Sequence, residues 1–157
     1  MFNMTIAENI SLGKPNSTSE EIVEAANIAQ ANEFIDAKEL GYDEIVSEGG
    51  NSLSGGQKQR INIARAVIKK PEILIFDDST SALDLITEAK LYKSLKEKLG
   101  DVTKIVVAQR IATARNADKI MVLDDGKIND FGTHNELIER CPIYKDIYES
   151  QLKKEVM

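Results

Sequence analysis

Three features of the sequence predict an α/β fold. Two short apolar segments, Ile73 to Phe76 and Lys104 to Ala108, enclose a stretch in which Leu91, Leu95 and Leu99 recur every fourth residue before Gly100. That is the pattern of strand, helix and strand. Further on, Ile120 to Leu123 and Ile128 to Phe131 flank Asp125-Gly126, a dipeptide suited to the tight turn of a β-hairpin. Upstream, Thr18 with Glu21 forms a capping box before a stripe of Ile22, Ala25, Ala26 and Ala29 at helical spacing.

The other elements fit around these. A short helix is expected near Phe34-Ile35, and loop residues dominate from Gly41 through Gly49-Gly50-Asn51. A third helix runs from Ser54 to about Lys69 with Ile61, Ala64 and Ile68 on one face, and Pro71 stops it. Thr133 with Glu136 caps another helix, and Pro142 to Leu152 forms the last. The apolarity of Ile73 to Phe76 and of Ile105 to Ala108 is continuous rather than alternating. This predicts strands buried on both faces of a parallel sheet, with the Leu91 helix as the crossover.

Composition narrows the function. Hydrophobic residues make up 42% and charged residues 29% of the 157, a globular balance, and no apolar run approaches the ~18 residues of a membrane-spanning helix. No basic-then-apolar leader stands at the N-terminus, so a cytosolic chain is expected. The single Cys141 fits that compartment. With 20 basic against 26 acidic residues the formal charge is −6, which opposes a phosphodiester backbone; no nucleic-acid partner is expected. The Lys153-Lys154 pair reads as a solvated helix end.

The residues that carry chemistry begin at Leu53-Ser54-Gly55-Gly56-Gln57. Two glycines at a helix start leave backbone N–H groups unshielded and let an anion approach closely. Ser54 and Gln57 also form a capping box, but a cap alone does not call for two consecutive glycines, each costing about 1 kcal/mol relative to Ala in a helix. Asp77 ends an apolar strand, where an isolated carboxylate would be read as a helix or turn cap. Asp78-Ser79-Thr80-Ser81-Ala82-Leu83-Asp84 follows it. An isolated Asp at position 84 would be read as a helix N-cap.

Leu53 to Gln57 resembles the signature motif of ATP-binding cassette (ABC) ATPases, and the resemblance, to the exporter type, extends over nearly the whole chain. Phe2 to Ile10 is similar to the segment after the glutamine loop. Val46-Ser47-Glu48-Gly49-Gly50 resembles the exporter loop that touches the coupling helices of a transmembrane domain. Ile73 to Asp77 looks like a Walker B strand, Ser81-Ala82-Leu83-Asp84 the D-loop, and Phe131 to Leu137 the segment that closes such domains. The resemblance implies part of a P-loop NTPase, RecA-like parallel sheet joined to the ABC α-helical subdomain. It divides the chain into a helical subdomain with the signature helix (residues 1–70), a partial core with Walker B, D-loop and switch region (71–132) and C-terminal helices (133–157).

The sequence departs from that family in three places. No Gly-x-x-x-x-Gly-Lys-Ser/Thr occurs, so the phosphate-loop strand is expected to be missing and the chain alone is expected not to hydrolyse ATP. The glutamate that normally follows the Walker B aspartate is Asp78, whose carboxylate sits ~1.5 Å nearer the backbone. The switch histidine is replaced by Gln109, whose amide donates a hydrogen bond and carries no proton charge. His134, the only histidine, reads as a helix-start residue.

The resemblance thus implies the degenerate half of a heterodimeric exporter that uses ATP and Mg²⁺ at the cytoplasmic face of the membrane. Such domains pair head to tail. Ser54, Gly55, Gly56, Gln57 and Asp84 would contribute nucleotide and interface contacts, Asp77 the metal, and Asp78 and Gln109 the catalytic positions of a poor site. Two rivals stand beside this reading. One is an ABC ATPase of DNA repair or chromosome maintenance, which the acidic charge and the lack of heptads disfavour; the other is a non-enzymatic regulatory or vestigial fragment. The isolated chain is expected either to leave strand edges exposed, inviting association, or to rearrange.

Overall fold

The computed structural model describes residues 1–155, without the side chains of 153–155, so those of Lys153 and Lys154 lie outside the described residues. The chain forms two compact units, Met1–Ile105 and a second from Val106 onward.

In the first unit, β1 (Met4–Thr5) leads into α1 (Ile6–Ser11), followed by α2 (Ser19–Ile28) and α3 (Asn32–Asp36). A 3-10 turn at Gly41–Asp43 precedes β2 (Ile45–Val46), which pairs antiparallel with β1, Met4 opposite Val46 and Thr5 opposite Ile45. A second 3-10 turn, Glu48–Gly50, leads to α4 (Gly55–Val67), and then come β3 (Ile73–Asp77), α5 (Leu85–Lys98) and β4 (Thr103–Val107), whose last two residues pass into the second unit. The capping box predicted at Thr18 and Glu21 opens α2, and the same device at Thr5 and Glu8 opens α1, a helix not anticipated from the sequence.

α1 and α2 pack on α4. Ile6, Ile10, Ala26, Ile61 and Ala64 are completely buried between them. Each fully buried isoleucine contributes about 1.5–3 kcal/mol relative to exposure. One polar side chain lies within this apolar seam: Asn9 is also completely buried. Its Oδ1 accepts the Phe2 N–H at 3.1 Å and Arg65 Nη2 at 3.0 Å, and its Nδ2 donates to the carbonyls of Phe2, Met4 and Thr5 at 3.1, 3.3 and 3.0 Å. Arg65 Nε donates to the Asn9 carbonyl at 2.7 Å, so one arginine on α4 holds α1 by backbone and side chain together.

β3 and β4 are hydrogen-bonded neighbours joined through α5, the parallel pair among the three two-stranded sheets of the described residues. The expectation that these strands are buried on both faces needs correction. Leu74 and Phe76 are buried, and Phe76 meets Tyr92 of α5 edge-on at 6.2 Å, but Ile73 and Ile75 are 58% and 64% exposed and Ile105 is 50% exposed. Within this unit α5 covers one face of the pair, so burial alternates along β3 although apolarity does not.

The second unit holds α6 (Ile111–Ala114), β5 (Ile120–Asp124), β6 (Lys127–Gly132), α7 (His134–Arg140) and α8 (Pro142–Glu155). β5 and β6 form the predicted hairpin, with Asp124 opposite Lys127 and both turn residues left-handed, Asp125 at φ 50° and Gly126 at φ 74°. Two positive φ values match a turn whose twist suits the flanking strands. Thr133 and Glu136 build the predicted capping box, and Ile111, Val122, Leu137, Cys141 and Tyr144 form the core.

Substituting Asn9 tests the polar seam. Asn9→Ala removes the acceptor of a backbone N–H and an arginine donor in a closed environment, so the unfolding free energy from urea titration is expected to fall by about 1–3 kcal/mol.

Candidate functional site

Ser54 is the N-cap of α4, with extended backbone (φ −67°, ψ 161°). Its Oγ accepts the Gln57 N–H at 3.2 Å, and Gln57 Oε1 accepts the Ser54 N–H at 2.9 Å. The capping box is therefore built. Ser54 and Gly55 are exposed at the helix start, while Gly56 and Gln57 are half-buried.

The structure supplies a reason for the second glycine that the sequence does not show. A Cβ on Gly56 would stand 2.9 Å from the Ala82 carbonyl oxygen and 3.4 Å from Leu83 Cδ2, whereas one on Gly55 would meet only the Ala82 methyl, at 3.3 Å. The first turn of α4 thus lies directly against the segment that follows β3.

That segment carries three of the candidate residues. Asp77 ends β3 with its side chain exposed, and its carbonyl accepts the Ser79 hydroxyl at 3.2 Å. Asp78 is exposed and left-handed at φ 50°, a region in which non-glycine residues are uncommon and Asp is enriched. Its carbonyl accepts Ser81 Oγ at 3.2 Å and Gln59 Nε2 at 3.3 Å. Asp84 is the N-cap of α5: Oδ1 accepts the Thr87 N–H at 2.9 Å and Oδ2 the Thr87 hydroxyl at 2.7 Å. The Thr87 N–H, then the hydroxyl, holds the Asp84 carboxyl below its ordinary range.

The sequence alone does not single out Gln59. Besides Asp78 it reaches Ser81 Oγ at 3.2 Å, and its Oε1 accepts the Ala82 N–H at 3.0 Å. The available signal was its position three residues after Gly56, which puts both on one helix face. Arg60 beside it braces the helix on the α2–α3 side, with Nη1 donating to the Gln30 carbonyl at 2.7 Å and the guanidinium 4.8 Å from the Phe34 ring centre. Burial pulls the Arg60 guanidinium down from its usual value, against the opposing charges of Glu33 and Asp84.

Gln109 belongs to the second unit and is exposed, just after β4. Its carbonyl accepts Gln151 Nε2 at 2.8 Å, and Gln151 Oε1 accepts the Ile111 N–H at 2.8 Å, so α8 fixes the backbone on either side of Arg110. His134 is the first residue of α7, its Nδ1 2.9 Å from the Tyr144 hydroxyl and its ring edge-on to Tyr144 and Tyr148. Glu48 is exposed on a 3-10 turn whose two glycines, Gly49 and Gly50, have φ of 72° and 69°. Among the described residues no three His, Cys, Asp or Glu side chains cluster to hold a metal. An exposed carboxylate such as Asp77 fits a Mg²⁺ that keeps several waters and takes its other ligands from phosphates.

The sequence model of the ABC transporter family matches residues 2–81, half of the chain. The chain belongs to the ABC transporter family. It is 50% identical over 155 residues to the ABC transporter ATP-binding protein YfiB of Bacillus subtilis, a match covering 99% of this chain and 27% of that protein. It is 48% identical over 151 residues to YgaD of the same organism, described as a putative multidrug export ATP-binding/permease protein, covering 96% of this chain and 26% of that one. The structure of a bacterial Atm1-family ABC exporter with ATP bound superposes with a TM-score of 0.91 at 38% identity, over 96% of this chain and 26% of that one. The chain thus spans about a quarter of the length of these relatives and corresponds to an ABC exporter ATP-binding domain, a type that uses ATP with Mg²⁺. No described helix is long and apolar enough to cross a membrane.

Two predictions follow from this arrangement of the ABC domain. Gly56→Ala drives a methyl into the Ala82 carbonyl and is expected to lower stability by about 1–3 kcal/mol, whereas Gly55→Ala is expected to be near neutral or stabilising, because alanine favours the helix. Thermal unfolding of the two variants side by side decides this. The depressed Asp84 value means that its capping contribution is present above the ordinary carboxylate range and is lost as pH falls through the lower folded value. Asn caps as well as Asp, so Asp84→Asn is expected to keep α5 stable while removing that part of the acid dependence of the unfolding midpoint.

Proposed function

We propose that this chain is the ATP-binding share of an exporter. Ser54, Gly55, Gly56 and Gln57 complete the ATP site of a second ABC domain paired head to tail, and Asp77, Asp78 and Gln109 belong to a slower site of the chain's own. The carrying observation is the chemistry of the α4 cap. Among the described helices, the capping boxes that open α1, α2 and α7 close on Glu8, Glu21 and Glu136, whereas that of α4 closes on Gln57. The same reciprocal hydrogen bonds are made without a negative charge, and the first turn of α4 carries no acidic residue. A helix N-terminus with free amide donors, no carboxylate and two glycines favours a phosphate.

The roles follow from geometry and side-chain chemistry. Asp77, exposed at the strand end, would hold Mg²⁺ through water, and the ion would neutralise phosphate charge when bound. Asp78 keeps a carboxylate beside it, on a shorter arm than the family's glutamate, and general-base work demands hydrogen-bond reach to the attacking water. Gln109 offers an amide donor where the family has an imidazole. Both departures weaken this chain's own site and leave the signature contribution to the partner's site intact, which supports a heterodimer with unequal sites. The exposed Glu48 turn supports contact with the coupling helices of a transmembrane domain. Resemblance to a putative multidrug export protein favours export over DNA maintenance.

The test is ATP turnover by the assembled full-length transporter carrying Ser54→Arg. The long cation displaces the terminal phosphate from the α4 amides, and turnover is expected to drop by roughly 10²-fold, the scale of losing one preorganised donor. Unchanged turnover would remove Ser54 to Gln57 from any ATP site.

A further inference from the structure

We infer that Gln59 is a positioning residue that locks the signature helix to the Asp78 segment, so that a displacement at the partner's ATP site is transmitted to the chain's own site. The inference rests on the reading above, in which Ser54 to Gln57 serve one nucleotide and Asp77 and Asp78 another. Without those assignments Gln59 is only a tertiary hydrogen bond.

The geometry is specific. Both ends of one amide engage the same five-residue segment: Nε2 donates to the Asp78 carbonyl at 3.3 Å and to Ser81 Oγ at 3.2 Å, and Oε1 accepts the Ala82 N–H at 3.0 Å. Ser81 Oγ passes a further bond to the same Asp78 carbonyl at 3.2 Å. That oxygen therefore has two donors, one of them from α4. Asp78 sits at φ 50°, a backbone state that persists in a non-glycine residue only when its surroundings hold it. Gln59 is half-buried and supplies one of the bonds that hold it.

Among the described hydrogen bonds, those of Gln59 alone join α4 to residues 78–82. Gly56 presses against the Ala82 carbonyl and so limits how close the helix and the segment come, but a steric contact resists only approach. The Gln59 amide resists separation and sliding as well. Displacing α4 away from the segment stretches the Asp78, Ser81 and Ala82 bonds together. Because Asp84 is anchored on α5 by Thr87, the segment between β3 and α5 is fixed at its far end, and a pull from α4 is felt at Asp78.

The experiment measures steady-state ATP turnover by the full-length assembled transporter for Gln59→Ala, Gln59→Glu, Ser81→Ala and the Gln59→Ala/Ser81→Ala double variant, with Ser54→Arg alongside. Gln59→Ala is expected to lower kcat about 10-fold while KM for ATP changes less than about 2-fold, since a signature helix no longer held to the Asp78 segment misplaces its donors at the partner's faster site, and small misplacements affect chemistry more than binding. Gln59→Glu keeps the size and the acceptor for the Ala82 N–H but loses both donors, and is expected to lower kcat by roughly 3-fold. It carries the test should the alanine variant fail to assemble. Ser81→Ala is expected to lower kcat in the parent and to have no further effect on Gln59→Ala, the non-additivity of residues acting as one unit.

Unchanged kcat in both Gln59 variants overturns the inference. So does a rise in KM with kcat intact, or effects that simply multiply in the double variant. Ser54→Arg separates this failure from that of the underlying reading. If Ser54→Arg abolishes turnover and the Gln59 variants do not alter kcat, only the coupling is lost; if Ser54→Arg is also silent, the assignment of the signature residues falls with it.

Discussion

The close approach of the first turn of α4 to the Ala82 carbonyl constrains everything around the site. A helix start can lie this near a neighbouring backbone only where there is no Cβ, and Gly56 provides that. Once the approach is made, Gln59 one turn further along is within reach of Asp78, Ser81 and Ala82, and the left-handed Asp78 gains donors for its carbonyl. Asp84 then closes the segment by capping α5. Remove the approach and the bonds from α4 lengthen together. The glycine pair therefore has two physical explanations, one for each residue: Gly56 serves packing, and Gly55, exposed with only a methyl nearby, leaves the amide end of α4 open.

Most elements were legible because their signals are local. Capping boxes at Thr18, Ser54 and Thr133 mark helix starts through a side chain three residues on, and Asp125-Gly126 marks the hairpin through two left-handed residues. The same signal stands at Thr5 and Glu8, but six residues of helix give no periodicity to support it. The strands show a different limit. Ile73 to Phe76 is uniformly apolar, which reports what the segment could tolerate on each face, not what covers it. Within its own unit β3 has α5 on one side, and Ile73 and Ile75 remain exposed.

At the site, residue types and spacing were legible, and relationships across the fold were not. Sequence places Ser54 at a helix start and Asp77 at a strand end, since both follow from local pattern. It cannot show that α4 and the Asp78 segment touch, nineteen residues apart for Gln59 and the Asp78 carbonyl. Nor can it show a positive φ at Asp78, a conformation that Asp tolerates but that its identity alone does not specify. Gln59 is silent in the sequence for the same reason, as a polar residue on a helix reads as solvated until its partners are known.

The capping box and the proposed phosphate contact, which compete as explanations of Ser54 and Gln57 in the sequence, draw on different atoms of the same side chains. Ser54 Oγ spends a lone pair on the Gln57 N–H and keeps its hydroxyl proton. Gln57 spends its carbonyl oxygen on the Ser54 N–H and keeps both amide protons. Capping therefore consumes acceptors and leaves donors, and the neighbouring Gly55 and Gly56 N–H groups, in the first turn, have no carbonyl four residues back within the helix. With glutamate in place of Gln57 the same box would leave a negative charge at this position instead of donors. The neutral side chain is what allows one set of residues both to start the helix and to present hydrogen-bond donors to an anion, with no change of conformation between the two roles.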